Sequence, residues 1–185
     1  MSRARVWWCA GTYGVLALVA AGCTAPAPDV DPTLRKTLQP VVHDAAVAGL
    51  ENEGGMLADS SFASTARWFC TEKVVEIREV DGGVLKVGLV TQCSELAARG
   101  RTLVEGTAVR GPLLMELSKD GKGGYHVRRQ DSPPDGAGYD EWIGRSFSEG
   151  GAALVRREDW DRTSSLESAA RTHFRLPPDA PVTAL

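Results

Sequence analysis

The residues of this chain best suited to chemistry are its four cysteines, Cys9, Cys23, Cys70 and Cys93. Cys9 and Cys23 belong to an N-terminal apolar stretch, so Cys70 and Cys93 remain as a pair in the body of the chain. Such a pair can form a disulfide, stay as two free thiols, or supply half of a metal site. Metal ligation needs further ligands, and His43, His126 and His173 are scattered along the sequence. Redox catalysis is the sharper reading of the pair, but no C-x-x-C spacing supports it.

Acid–base chemistry has one carboxylate candidate, Glu105, which shares strand parity with Leu103 and Val109. Burial there would raise its pKa and mark a functional position, whereas a solvated strand edge is the plainer alternative. His126 alternates with Tyr125 and Val127, which places it with Arg128 on a polar face. His43 lies beside an apolar helical stripe and reads as a surface or packing residue. The large aromatics Trp68, Tyr125, Tyr139, Trp142 and Trp160 could line a pocket for a hydrophobic or carbohydrate ligand, or simply pack. Trp68, Glu105, Tyr125 and Trp142 make up the candidate pocket.

Familiar catalytic motifs are missing. Gly144-Arg145-Ser146-Phe147-Ser148 opens like G-x-S-x-G but ends in serine and follows a helix start, not a strand. Neither H-E-x-x-H, Walker A nor a dinucleotide glycine pattern occurs. Gly121-Lys122-Gly123-Gly124 fits a hairpin turn. No cofactor, metal or catalytic residue is expected on these grounds, and the balance leans away from an enzyme.

The N-terminus carries address information. Arg3 and Arg5 precede a charge-free run from Trp7 to Gly22, which ends in small residues. That order is a secretory signal. Ala20-Ala21-Gly22-Cys23 resembles the lipobox of bacterial lipoproteins. The resemblance implies cleavage before Cys23, a diacylglyceryl thioether on its sulfur, and anchoring on the outer face of the cytoplasmic membrane. Ordinary secretory cleavage near Ala21 and a retained transmembrane anchor are the alternatives. Two or more acyl chains would hold the protein stably where one is marginal. In an oxidising extracytoplasmic setting the Cys70–Cys93 pair is expected to be a disulfide.

Removing residues 1–22 takes Arg3 and Arg5 with it, so the net charge moves from −3 to −5. An acidic domain is repelled by nucleic acid and by anionic lipid headgroups, so neither is an expected partner. The remaining 163 residues suit one domain with a sizeable core.

The elements that position these residues follow from periodicity. Residues 23–30 read as a short Ala/Pro-rich tether of roughly 20–25 Å. Asp31-Pro32 starts a helix, with Asp31 as N-cap, and Leu34, Leu38, Val41, Ala45 and Ala48 form its stripe. Pro40 should kink or split it, and Gly54-Gly55 should end it. Alternation then predicts four strands, Arg67–Val80, Val84–Glu95, Thr102–Ser118 and Gly124–Gln130, joined by glycine turns into an antiparallel meander. Gly111-Pro112 predicts a bulge or bend in the third strand. A three-residue turn at Asp81–Gly83 gives the first hairpin a coherent apolar face but leaves Cys93 one residue out of step with Cys70. A one-residue bulge within Thr71–Lys73 would reconcile the two.

After the sheet, Tyr139, Trp142, Ile143 and Phe147 recur at helical spacing, and Ala152–Arg156 reads as a last strand. Ser164 and Glu167 have capping-box spacing for a final helix to about Phe174, and Pro177–Leu185 reads as a disordered tail. The domain is thus expected to span residues 31–160, with residues 161–185 as a terminal helix and flexible end.

The expected class is α+β. A helix followed by a four-stranded meander over Asp31–Gln130 resembles the cystatin-like and nuclear-transport-factor-like folds, in which a bent sheet wraps a helix and sometimes encloses a cavity. The inhibitory Q-x-V-x-G hairpin of cystatins is absent, because Val87-Gly88-Leu89-Val90 lacks the leading glutamine. The expected function is a lipid-anchored envelope protein that binds or scaffolds a partner protein. The alternative is a binder of small hydrophobic ligands, or an enzyme, with a cone-shaped cavity.

Overall fold

A computed structural model describes residues 28–157 and 161–185. Residues 1–27, which include the stretch read as a signal and Cys23, and residues 158–160, which include Trp160, lie outside the described residues.

Helix α1 spans Pro32–Glu53. The Asp31 carboxylate accepts from Thr33 N at 2.7 Å and Leu34 N at 2.9 Å, capping the free amides of the first turn. Leu38, Val42 and Ala46 are buried, one per turn and slightly rotated from the expected line, with Leu34, Val41 and Ala45 flanking them. Ala48 is exposed. Pro40 does not split the helix. It lies on the exposed side, where water can serve the Lys36 carbonyl that loses its helical donor. Val30 is buried against the α1 core, so the domain begins before the cap.

Four antiparallel strands follow: β1 (Arg67–Val80), β2 (Val84–Arg99), β3 (Thr102–Lys119) and β4 (Tyr125–Asp131). The β1–β2 turn needs left-handed backbone at Gly82 (φ 77°) and Gly83 (φ 73°), which glycine adopts without strain. It pairs Val80 with Val84 and Ile77 with Val87, as the apolar face requires. Cys70 also stands opposite Cys93. One extra residue reconciles the two, but at Val75, between Val74 and Glu76, not within Thr71–Lys73. The bulge turns Val75 and Glu76 to the same face, so Cys70, Glu72, Val74 and Ile77 all face α1.

The bend in β3 is likewise displaced. Pairing with β2 runs unbroken through Gly111 and Pro112 and shifts at Gly106-Thr107, opposite Glu95. The shift reverses side-chain parity, so Glu105 and Val109 lie on opposite faces, not one.

The sheet is mixed and five-stranded, so the antiparallel meander is incomplete as a description. Val182–Ala184 forms β5, parallel to β3 at Leu103–Glu105. Residues 177–185 are therefore not a disordered tail. Ala180 is buried, its carbonyl accepts from Arg171 Nε at 3.0 Å, and Pro181 O accepts from Leu103 N at 2.9 Å. With β2 along one edge of β3, β4 and β5 share the other, β4 at Leu114–Lys119 and β5 at Leu103–Glu105.

Helices cover the second face of the sheet: α2 (Tyr139–Ser146), α3 (Glu149–Arg157) and α4 (Thr163–His173). Trp142, Ile143, Phe147, Ala152 and Val155 pack there on Val75 and Val90. Ala152–Arg156 is helical, not a strand, because Ser148 caps it, with Gly151 N on Ser148 Oγ at 3.1 Å. A short apolar run leaves strand and helix undecided, and here the cap decides. The Ser164–Glu167 capping box does not form. Asp161 instead accepts from Thr163 N at 2.9 Å and Oγ1 at 2.7 Å. Gln92 of β2 ties this start down by accepting from Arg162 N at 2.7 Å.

Candidate functional site

The Cys70–Cys93 disulfide is present, with Cα atoms 4.1 Å apart across β1 and β2. So short a separation marks a non-hydrogen-bonded pair, whose backbone groups point away from each other. Cys93 therefore directs its N–H and C=O toward β3. The bond stabilises the fold by roughly 3 kcal/mol on the chain-entropy relation.

Three glutamates that the sequence pattern does not single out have buried side chains. Glu76, 1% exposed, accepts from Arg78 Nε at 2.9 Å, from Ser148 N at 3.1 Å and from Ser148 Oγ. Arg78 also donates to Ser146 O at 2.6 Å, tying β1 to the end of α2. Room for this group comes from glycine: a Cβ on Gly151 would overlap the Glu76 carboxylate, and one on Gly88 would sit 2.5 Å from the Phe147 ring. Glu95, 2% exposed, accepts from Leu57 N at 2.9 Å and Thr107 N at 3.3 Å, with Gly55 and Gly106 pressed against it. It fastens the β3 bulge to the 54–66 segment. Both carboxylates are occupied by structural donors.

Glu72 is different. Its side chain is buried beneath α1, where His43 Nδ1 lies 3.0 Å away and Gln39 Nε2 donates at 3.3 Å. Desolvation pushes its pKa up, opposed by His43 and Gln39, while Asp44 adds to the rise. His43, read from the sequence as a surface or packing residue, is half-exposed and pairs with Glu72. A wide, shallow depression over this pair also reaches Cys70 and Pro40.

The residues expected to form one pocket do not converge. Trp68 is buried at one end of the α1 face, opposite Glu95, and Tyr125 packs at the other end of that face. Trp142 is on the second face, stacked edge-on with Phe147, and its Nε1 donates to Asp131 at 3.2 Å. Glu105 is half-buried at the β5 junction beside Leu96 and Ala184. His126 is exposed, as its parity implies, and His173 packs edge-on against Phe69 and Phe174. Among the described residues no group of three or more His, Cys, Asp or Glu is arranged to hold a metal.

A second, less open concavity lies elsewhere. A cleft of about 450 Å³ opens between the C-terminal half of α1 and the middle of β3. Thr91, Cys93, Val109 and Gly111 form its floor, Leu50 and Glu53 one wall, and Asp135 and Tyr139 the other. Val109 is 36% and Tyr139 40% exposed, and an added Cβ on Gly111 would meet nothing within 4 Å. Burial and Asp140 push the Tyr139 phenol up, while Arg110 pulls it down. Sequence periodicity misses this cleft because it arises from where β4 and β5 stop, which depends on tertiary pairing. Its only trace in the sequence is Gly111-Pro112 inside an apolar strand. Among the described residues no helix is long and apolar enough to cross a membrane. No protein-family model, curated protein or solved structure matches the chain, so the site is read from its own geometry.

Proposed function

We propose that the protein is a lipid-anchored module of the cell envelope that binds or scaffolds a protein partner through the α1–β3 cleft. The observation that carries this is the contrast in use of polar groups. The buried carboxylates of Glu76 and Glu95 are engaged by the fold's own donors, whereas the cleft floor shows water an apolar side chain and an unfilled glycine. Binding surfaces combine apolar contact with a polar rim, and Glu53 and Asp135 supply the rim. The resemblance of Ala20-Ala21-Gly22-Cys23 to a lipobox is what supports the address. The acidic balance of the chain disfavours nucleic acid as partner.

A second reading, a small hydrophobic ligand, has one observation in its favour. A cleft of about 450 Å³ falls in the usual range for ligand pockets.

Two experiments test the proposal. Intact mass of the membrane-extracted protein should show a diacylated Cys23 at the new N-terminus, and an unmodified cysteine there overturns the address. A photo-crosslinker placed at Val109 of the full chain in cell envelopes should yield a protein adduct, and one placed at Lys122, on the β3–β4 turn, should not. Equal labelling at both positions, or none at Val109, overturns the binding reading.

A further inference from the structure

The outer edge of β3 is covered at both ends and open in the middle. β5 leaves it at Glu105, whose carbonyl accepts from Leu185 N at 2.9 Å, and β4 joins it at Leu114. Between them no described strand pairs with β3 on that side. The register identifies which groups face outward. Cys93 points its backbone at Val109, so Ala108 and Pro112, at the other parity, direct theirs away from β2. Arg110 stands between them and is held by an interaction of its own. Thr107 is engaged as well, its N–H on Glu95 and its Oγ1 accepting from Met56 N at 2.9 Å. Pro112 fits this pattern, because a proline at an outward position costs the β2–β3 ladder nothing.

The open stretch forms the mouth of the cleft, so a chain lying along it would present alternate side chains to the floor at Val109 and Gly111. The lining adds a charge preference, with two carboxylates, Glu53 and Asp135, against one cation, Arg110, which is already engaged. Glu53 and Asp135 are exposed and, among the described residues, form no ion pair.

Resting on the reading of the protein as a binding module, we propose that the cleft takes an extended, lysine- or arginine-bearing segment of another protein. The segment adds as a strand to β3 at Ala108–Gly111, in the gap between β4 and β5. The backbone edge supplies the hydrogen bonds, the floor selects apolar residues at alternate positions, and Glu53 with Asp135 selects positive charge. The open edge runs from Ala108 to Gly111, roughly 14 Å of extended chain, and closes at the buried Pro112.

The test uses the full chain in detergent and, as probe, an acetylated and amidated heptapeptide of alternating Lys and Val. Binding is read by amide hydrogen exchange and by titration. The proposal expects new protection of the Ala108 amide. It expects affinity to fall about tenfold or more with Ala108→Pro, which removes the outward donor, and with Gly111→Val, which fills the floor. An alternating Glu and Val peptide, or an N-methylated Lys and Val peptide, should bind at least as poorly. Gly111→Val keeps the test decisive if Ala108→Pro fails to fold. The proposal is overturned if the probe does not bind, if both variants bind it unchanged, or if protection appears away from residues 106–113. Mass doubling of the protein alone that Ala108→Pro abolishes also overturns it, by making a second copy the occupant. A failed probe with a positive Val109 adduct sinks strand addition and leaves the binding module standing, whereas loss of both sinks both.

Discussion

Two sets of glycines divide this molecule. Gly55, Gly88, Gly106 and Gly151 are crowded: a Cβ on any of them would run into Glu95, Phe147 or Glu76. Gly111 is the opposite, on the same strand as Gly106 and next to the strand of Gly88, with nothing within 4 Å of the Cβ it lacks. The crowded set exists because three layers close over buried carboxylates, and the missing side chains are filled by the protein itself. At Gly111 the missing side chain is filled by nothing in the fold. The same residue type therefore marks finished structure in one region and a place for another molecule in the other.

The largest expected effect lies in the closed region. Glu76→Ala leaves Ser148 N–H without its acceptor and the half-exposed Arg78 guanidinium without its partner, and should cost about 3 kcal/mol in urea unfolding. A loss under about 1 kcal/mol would mean that the cluster is solvated and that the contrast is overstated. Next comes Gly151→Ala, where the new methyl meets a carboxylate held by three donors. About 1–3 kcal/mol of overpacking is expected, and a neutral result would show that Glu76 moves freely. At the small end, Gly111→Val should leave stability within about 0.5 kcal/mol. A large loss there would place Gly111 among the crowded glycines and remove the cleft from consideration.

Glu72 offers a test by pH. Its folded pKa is raised, chiefly by burial. Between its unfolded value, about 4.3, and that folded value, the native state binds more protons than the unfolded chain. Its contribution to stability is therefore fullest at low pH and is lost as pH rises through the folded pKa. Glu72→Gln should flatten that part of the stability profile relative to wild type. Parallel profiles would place the carboxylate in water.

Much of the scaffold is legible before any coordinates. The Asp31-Pro32 cap, the glycine that ends α1, the Asp81–Gly83 turn and the four strand starts follow from local chemistry, since caps, turns and alternation are set by neighbours in sequence. The need for a bulge in β1 follows from reconciling the disulfide with the apolar face. Its position does not, because Val75 and Glu76 are placed by contacts with α2 and α3, far along the chain. The buried glutamates are hidden for the same reason: Ser148, Leu57 and His43, which hold them, lie far from them in sequence. β5 escapes notice because three residues carry too short a pattern, and the cleft because it lies where strands are absent.

Native-state hydrogen exchange on the isolated protein tests the open edge most directly. The Thr107 and Val109 amides are bonded to Glu95 and to β2, whereas that of Ala108, between them, points out of the sheet. The account predicts that Ala108 exchanges at close to the rate of an unstructured amide while Thr107 and Val109 are protected. Equal protection of all three would mean that the edge is already filled, and would contradict it.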